Sequence, residues 1–378
     1  MCVYLIVSRV IRVCFKLMTL PGRSYETQPY KEQPYEPVSV SVVVPVYNEE
    51  LHIRACVENL LEQTYPAHLV TLLLIDGRSE DNTRQVIKQL QEDYPERDIR
   101  LLDNPKRGVA AALNIGIQAA QDDIIVRMDA HSVPQEDFIE ASVRALQTSG
   151  AAYAGGRMVP EGRNPFGRAV GEMLSHRFGA GGAKFHTATQ AQFTDTVYLG
   201  AFRKSVFSEV GLFDEDLVVN EDYELNTRVR KAGGGVWLEP YIQTVYAPRD
   251  TPGKLWTQYF RYGWWKVETL RRHPDSLRPR QLLPVLFVSV CLLLLILSPF
   301  TALAQYALLF VLTLYAFLLA FVTFDVYRQG VRDAATLLCV PTAALLMHLS
   351  YGLGFVCNVV SWGRYPYRAK RSWKSQKT

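Results

Sequence analysis

Ser41-Val42-Val43-Val44-Pro45-Val46-Tyr47 is a short β-branched run ending on an aromatic residue, the pattern of a strand buried on both faces of a parallel sheet. Helical apolar spacing follows over residues 49–63. A second strand is expected over Val70 to Ile75, ending on Asp76, and a helix starts near Asn82-Thr83. Ile99 to Leu102, a helix over 108–121 and a strand over Asp123 to Met128 continue the alternation. The pattern predicts an α/β fold built on a mostly parallel sheet with helices on both faces. In such sheets ligands gather beyond the carboxyl ends of the strands. Tyr47, Asp76 and Asp129 all fall there, so three strand ends are expected to line one crevice suited to a nucleotide diphosphate.

Between 150 and 250 the pattern loosens. A strand near 151–158, a Gly-rich stretch over 178–182, a helix near 203–210, a helix start at Glu221-Asp222 and short strands near 236–246 read as an acceptor half. Residues 178–195 are a candidate mobile loop. Residues 254–272 form an amphipathic segment whose Trp256, Trp264 and Trp265 suit a membrane interface.

Three motifs carry chemistry. Asp129-Ala130-His131 follows a strand; a carboxylate and an imidazole two residues apart suit Mg²⁺ or Mn²⁺, the imidazole tilting the choice toward Mn²⁺. A polar turn after a strand accounts for the same residues. Asn220-Glu221-Asp222 places carboxylates where backbone amides keep a base ionised, and it equally suits an ordinary helix cap. Gln258 and Arg261 share a helix face, fit either for a departing phosphate or for lipid headgroups. The six other histidines, at 52, 68, 176, 186, 273 and 348, have no ligand-like sequence partners and read as structural, His186 excepted for its place near the Gly-rich stretch.

Composition sets the surroundings. Lys plus Arg number 41 against 37 Asp plus Glu, and a net charge of +4 is too small for a nucleic-acid protein. Residues 281–324 and 334–363 contain no charged side chain, which marks membrane spans. Basic clusters flank them, at Arg271, Arg272, Arg278 and Arg280 and again from Arg364 to Lys377, and such clusters mark the cytoplasmic side. Spans over 282–298 and 300–323 are clear. A single third span over 335–361 would put the two basic flanks on opposite sides, so a re-entrant hairpin or an extra crossing stays open there. The six cysteines form no CxxC pair and read as small hydrophobes in a reducing compartment. Residues 1–20 carry Arg9, Arg12 and Lys16 and no cleavage site, which points away from a cleaved signal peptide; an interfacial helix and an extension before a start near Met18 account for them equally. The resulting division is an extension and linker over 1–38, a catalytic domain over 39–253, an amphipathic segment over 254–280, a transmembrane region of about three spans over 281–363 and a basic tail over 364–378.

Over residues 39–272 the chain resembles the inverting family 2 glycosyltransferases, most of all the membrane-bound bacterial type that builds exopolysaccharide, such as succinoglycan glucosyltransferases. The resemblance rests on SVVVPVYNEE, LLIDGRSEDNT, NPKRGVAAALNIGI, RMDAHSVP, FRKSVFSEVGLFDE, NEDYELNTRVRKAG and QYFRYGWWK. It implies a nucleotide-diphospho-sugar transferase fold of the GT-A type, with Tyr47, Glu49 and Asp76 on the base and ribose and Arg107 and Asn114 near the nucleotide. Asp129 and His131 would take the place of the DxD metal site. Asp222 would be the base beside Glu221, and Gln258, Arg261 and Tyr262 would stand for the QxxRW motif near acceptor and diphosphate. The chain departs from the pattern in Ile75-Asp76, where many members have two acids, in His131, and in Tyr262, which replaces a Trp and points away from processive synthesis.

The expectation is a multi-pass inner-membrane enzyme whose catalytic domain faces the cytoplasm. It would move sugar from a nucleotide sugar, a UDP-sugar foremost, to a polyprenyl-diphosphate-linked saccharide, with a divalent cation and within a polysaccharide synthesis complex. A processive synthase and an inactive membrane scaffold are the competing readings.

Overall fold

A computed structural model describes residues 34–179 and 181–362, so most of the N-terminal extension, including residues 1–20, and the basic tail lie outside the described residues. The chain runs β1 (Val40–Val46), α1 (Ile53–Leu61), β2 (Val70–Asp76), α2 (Thr83–Asp93), β3 (Asp98–Asp103), α3 (Val109–Ala119), β4 (Ile124–Arg127), β5 (Val133–Pro134), α4 (Phe138–Ser149) and β6 (Tyr153–Pro160). It continues with α5 (Pro165–Ser175), α6 (Lys184–Thr187), β7 (Gln192–Phe193), β8 (Tyr198–Arg203), α7 (Ser205–Val210), α8 (Glu221–Lys231) and β9 (Val236–Tyr246). Four long helices close it: α9 (Pro252–Arg272), α10 (Pro279–Leu297), α11 (Ala302–Arg328) and α12 (Ala334–Ser361).

One mixed sheet has the order β3-β2-β1-β4-β8-β6-β9-β5, with β7 paired to β9. The first four strands in that order are parallel, as expected; β8 runs against them. Every residue of β1 is buried. Val42 and Val44 pack with α1, α2 and α4 on one face, and Val43 packs with α3 on the other. Each such valine contributes roughly 1.5–3 kcal/mol of apolar burial, which is why the run is apolar without alternation. Where the sequence pattern predicts short strands near 236–246, β9 is a single strand of 11 residues. It pairs with β6 on either side of a register shift between Gly155 and Arg157.

The apolar C-terminal helices join the sheet through α5, a helix that the sequence pattern does not signal. Phe166, Val170 and Met173 of α5 form a third core with Leu255, Val326, Val340 and Met347. α9 and α12 lie together along their lengths. A Cβ on Gly263 would stand 1.9 Å from the Tyr351 carbonyl oxygen, and one on Gly354 would stand 2.1 Å from that of Phe260. Small residues let the two backbones meet. Farther along, the Asn358 amide donates to the carbonyl of Trp264 (3.1 Å) and to Glu268 (2.9 Å). Trp264, expected at a lipid interface, is only 1% exposed in this seam.

Among the described residues three helices are long and apolar enough to cross a membrane: α10, α11 and α12. Only 11% and 6% of the most apolar windows of α10 and α11 are covered by protein, against 44% for α12. α12 is one continuous helix containing Pro341, so neither the hairpin nor the extra crossing is formed.

Candidate active site

The strand ends deliver two groups of side chains. In the first, Asp76 accepts from the Ser79 hydroxyl (2.5 Å) and from Arg84 (2.7 Å), and the Arg107 guanidinium stands 5.8 Å from the centre of the Tyr47 ring. Arg107 has positive φ and pairs with Glu80 at 3.1 Å. Asn114, expected near the nucleotide, is buried and committed to the 213–215 loop: its amide donates to the Phe213 carbonyl and to Glu215 and accepts from the Phe213 amide. That exchange makes it a brace for the loop rather than part of the cavity wall.

The second group surrounds a cavity of about 700 Å³ whose walls include Asp129, His131, Glu221, Asp222, Gln258, Arg261 and Tyr262. Sequence separations of up to 133 residues are closed by β4, the start of α8 and α9. Glu49 links the two groups. Its carboxylate, 2% exposed, lies 3.0 Å from His52 Nδ1, three residues on, and 3.4 Å from His131 Nδ1. Burial works against charge on His131, but Glu49 and Asp129 outweigh it and raise its pKa.

Arg127 opens the RMDAHSVP stretch but is given no role by the sequence pattern, although an arginine closing the apolar run Ile124-Ile125-Val126 is the signal. Its guanidinium lies 3.5 Å from Asp129 and 3.7 Å from Glu221. Burial opposes its charge; Asp129 and Glu221 restore it and hold its pKa above the ordinary value. Glu221 is pushed up to about 7 by burial and then by Asp222, against the pull of Arg127. Asn220 takes positive φ, which turns the chain so that Glu221 and Asp222 open α8. On α9, the Gln258 amide donates to the hydroxyls of Tyr246 (3.2 Å) and Tyr262 (2.9 Å). Gln258 thus orients the tyrosine that replaces the tryptophan of the family motif. His186 is buried and also lines the cavity.

Among the described residues no three His, Cys, Asp or Glu side chains gather as a metal cage. Asp129 and His131 offer two donors on one cavity wall. With Nδ1 turned to Glu49, His131 keeps Nε2 for a ligand, the usual carboxylate–imidazole arrangement behind a metal. Two protein donors suit a cation that completes its shell with substrate phosphates and water.

A mixed sheet whose parallel strand ends carry Tyr47, Asp76 and Asp129, with a carboxylate-opened helix across the cavity, defines the GT-A class of nucleotide-diphospho-sugar transferases. The chain belongs to glycosyltransferase family 2 and is a glycosyltransferase: residues 41–211 match the family described as Glycosyl transferase family 2. It is 32% identical to the succinoglycan biosynthesis protein ExoA of Rhizobium meliloti (strain 1021) over 65% of this chain and 74% of the relative. It is 30% identical, over 59% of this chain and 71% of the relative, to a Methanococcus voltae dolichyl N-acetyl-alpha-D-glucosaminyl phosphate 3-beta-D-2,3-diacetamido-2,3-dideoxy-beta-D-glucuronosyltransferase. The fold is shared with the mannosyltransferase PcManGT of Pyrobaculum calidifontis, solved with GDP-Man and Mn²⁺, at a TM-score of 0.56 and 20% identity over 93% of each chain.

Proposed function

We propose that the protein transfers one sugar, with inversion, from a nucleotide sugar, a UDP-sugar foremost, to a saccharide carried on a polyprenyl diphosphate. The observation that carries this reading is the continuity of one cavity from Asp129 and Asp222 to Pro284 and Met347 of the apolar helices. An acceptor with its tail in lipid can reach the carboxylates without leaving the membrane. Relatives that act in succinoglycan biosynthesis and on a dolichyl phosphate glycan support the same acceptor class.

A Mn²⁺ or Mg²⁺ ion held by Asp129 and His131 would neutralise charge on the leaving diphosphate. Tyr47, Asp76 and Arg107 take the nucleoside end. Asp222 accepts the proton of the acceptor hydroxyl, whose oxygen bonds to the anomeric carbon as the bond to the diphosphate oxygen breaks. It stands in the first turn of α8, where its carboxylate accepts from the Tyr223 amide at 2.7 Å. Arg261, on the same cavity, meets the departing phosphate.

The packing of α12 supports a membrane arrangement with two crossings, α10 and α11. Contacts with the catalytic side run from Asp333 and Thr336, which Arg168 of α5 grips, to Asn358 near the far end. That stretch of 25 residues is about 38 Å long, more than the hydrocarbon thickness of a bilayer. A helix that touches the catalytic half throughout such a length lies along the membrane face. Arg272 and Ser361, at the two ends of the apolar region, then share one side of the membrane. In a cysteine-free background, Arg272→Cys and Ser361→Cys are expected to react with an impermeant thiol reagent from one side; labelling from opposite sides would restore a third crossing.

Nucleoside diphosphate release by the detergent-purified full chain, measured across a panel of nucleotide sugars with Mn²⁺, Mg²⁺ or chelator and a lipid-linked acceptor extract, tests the reaction. Metal-dependent release from one donor is expected. Asp222→Asn should lower turnover by about 10²–10⁴-fold with nucleotide binding retained; undiminished turnover in that variant removes Asp222 from the role.

A further inference from the structure

Beyond the carboxylates, the cavity ends in a basic corner. Gln258, Tyr262 and Lys266 follow at intervals of four on one face of α9, so Lys266 stands about 6 Å farther along the helix than Tyr262. Lys266 is 3% exposed and lines the cavity. Its ammonium group lies 3.9 Å from the centre of the Tyr223 ring and has no hydrogen-bond partner among the described residues. The Tyr351 hydroxyl of α12, on the same cavity, also lacks a partner among them. The charges that act most on Lys266 are the Asp195 carboxylate and the guanidinium groups of Arg280, Arg278 and Arg230. That carboxylate is already shared, at 2.7 Å from Arg280 and 3.7 Å from Arg278. The corner therefore carries positive charge in excess of its acids, and two buried donors belong to residues that line the cavity.

Buried donors are nearly always satisfied in folded proteins, and leaving a charged one unpaired is costly. A ligand anion is the partner that accounts for both donors and for the surplus charge. Arg278 and Arg280 open α10, the first crossing, so the corner lies at the depth of lipid phosphates. Pro284 and Met347 continue the wall with apolar surface for a tail.

We propose that Lys266, Arg280 and the Tyr351 hydroxyl form a phosphate subsite for the lipid-linked acceptor, distinct from the place of the donor diphosphate. The subsite holds the acceptor's diphosphate at the membrane surface while its saccharide reaches Asp222. This rests on the transfer reaction proposed above. It assigns Lys266 to substrate anchoring, a role that the sequence motifs do not mark.

Binding of farnesyl diphosphate to the full chain in neutral detergent, with the donor site filled by UDP and Mn²⁺, tests the subsite. Saturable binding is expected, weakened at least tenfold by Lys266→Met and by Arg280→Gln, and weakened less by Lys266→Arg, while farnesol does not bind. Unchanged affinity in both Lys266→Met and Arg280→Gln overturns the subsite. So does equal competition by phosphatidylglycerol nanodiscs, which would mark a general headgroup clamp, or equal competition by UDP in excess, which would mark the donor site. Donor turnover without farnesyl diphosphate binding sinks the subsite and leaves the transferase standing. Binding without turnover of any donor sinks the transfer reading instead. Thermal midpoints of the variants, measured alongside, separate lost binding from lost fold.

Discussion

The parallel half of the sheet and the seam between α9 and α12 are packed by opposite means. In β1 and β2, Val42, Val43, Val44 and Leu72 to Ile75 fill the space between layers with side chains. In the seam, Gly263 and Gly354 remove side chains so that backbone meets backbone. A side-chain layer yields by degrees, because neighbours relax around a lost methyl group. A backbone contact has nothing to give way, so the seam should fail abruptly where the sheet fails gradually.

Gly354→Leu is the strongest test of that contrast. Its side chain would have to enter at the Phe260 carbonyl, and a loss of about 3 kcal/mol or more is expected, with transfer lost too because α9 carries Gln258 and Arg261. A thermal midpoint within a degree of the parent would break the comparison. Lys266→Met probes the same seam in the other direction. Burial pulls the Lys266 pKa from 10.5 to about 7, so the neutral form is favoured on folding. The cost of that burial is full below pH 7 and disappears as the pH rises toward 10.5. Without ligand the variant should be more stable than the parent near pH 6.5, by up to a few kcal/mol. That gap should close with rising pH in parallel thermal melts, and a constant gap would show that the ammonium is not the cause. Val43→Ala in the sheet should cost about 2 kcal/mol in denaturant titrations while the donor site keeps its affinity. Smallest of all, Arg168→Ala removes an exposed ion pair with Asp333 and a partly buried hydrogen bond to Thr336 and should change stability by about 1 kcal/mol. A larger loss would mean that the polar clip, rather than the glycines, holds α12.

The same contrast explains how much the sequence reveals. Branched runs and acidic strand ends are local signals, so β1 to β4 and the positions of Tyr47, Asp76 and Asp129 are legible in the residues themselves. Asp129, His131, Glu221, Asp222, Gln258, Arg261 and Tyr262 are legible as motifs, and the fold gathers them around one cavity. What stays hidden depends on distant partners. Asn114 looks like any polar helix residue until Phe213 and Glu215 arrive 99 and 101 residues later. Gly263 and Gly354 are ordinary glycines until their helices are side by side. The path of α12 is hidden for the same reason, since composition reports how apolar a helix is and not what covers it.

The seam also gives the chain a schedule. All nine strands lie between Val40 and Tyr246, so the sheet can be complete before α10 has been translated. The cavity wall is not: Met347, His348 and Tyr351 belong to α12, the last helix described to leave the ribosome. A nascent chain can therefore own a nucleotide crevice while its acceptor end still gapes. α10 and α11 are made before α12, so completion of the sheet and maturation of the cavity become consecutive steps of one assembly line.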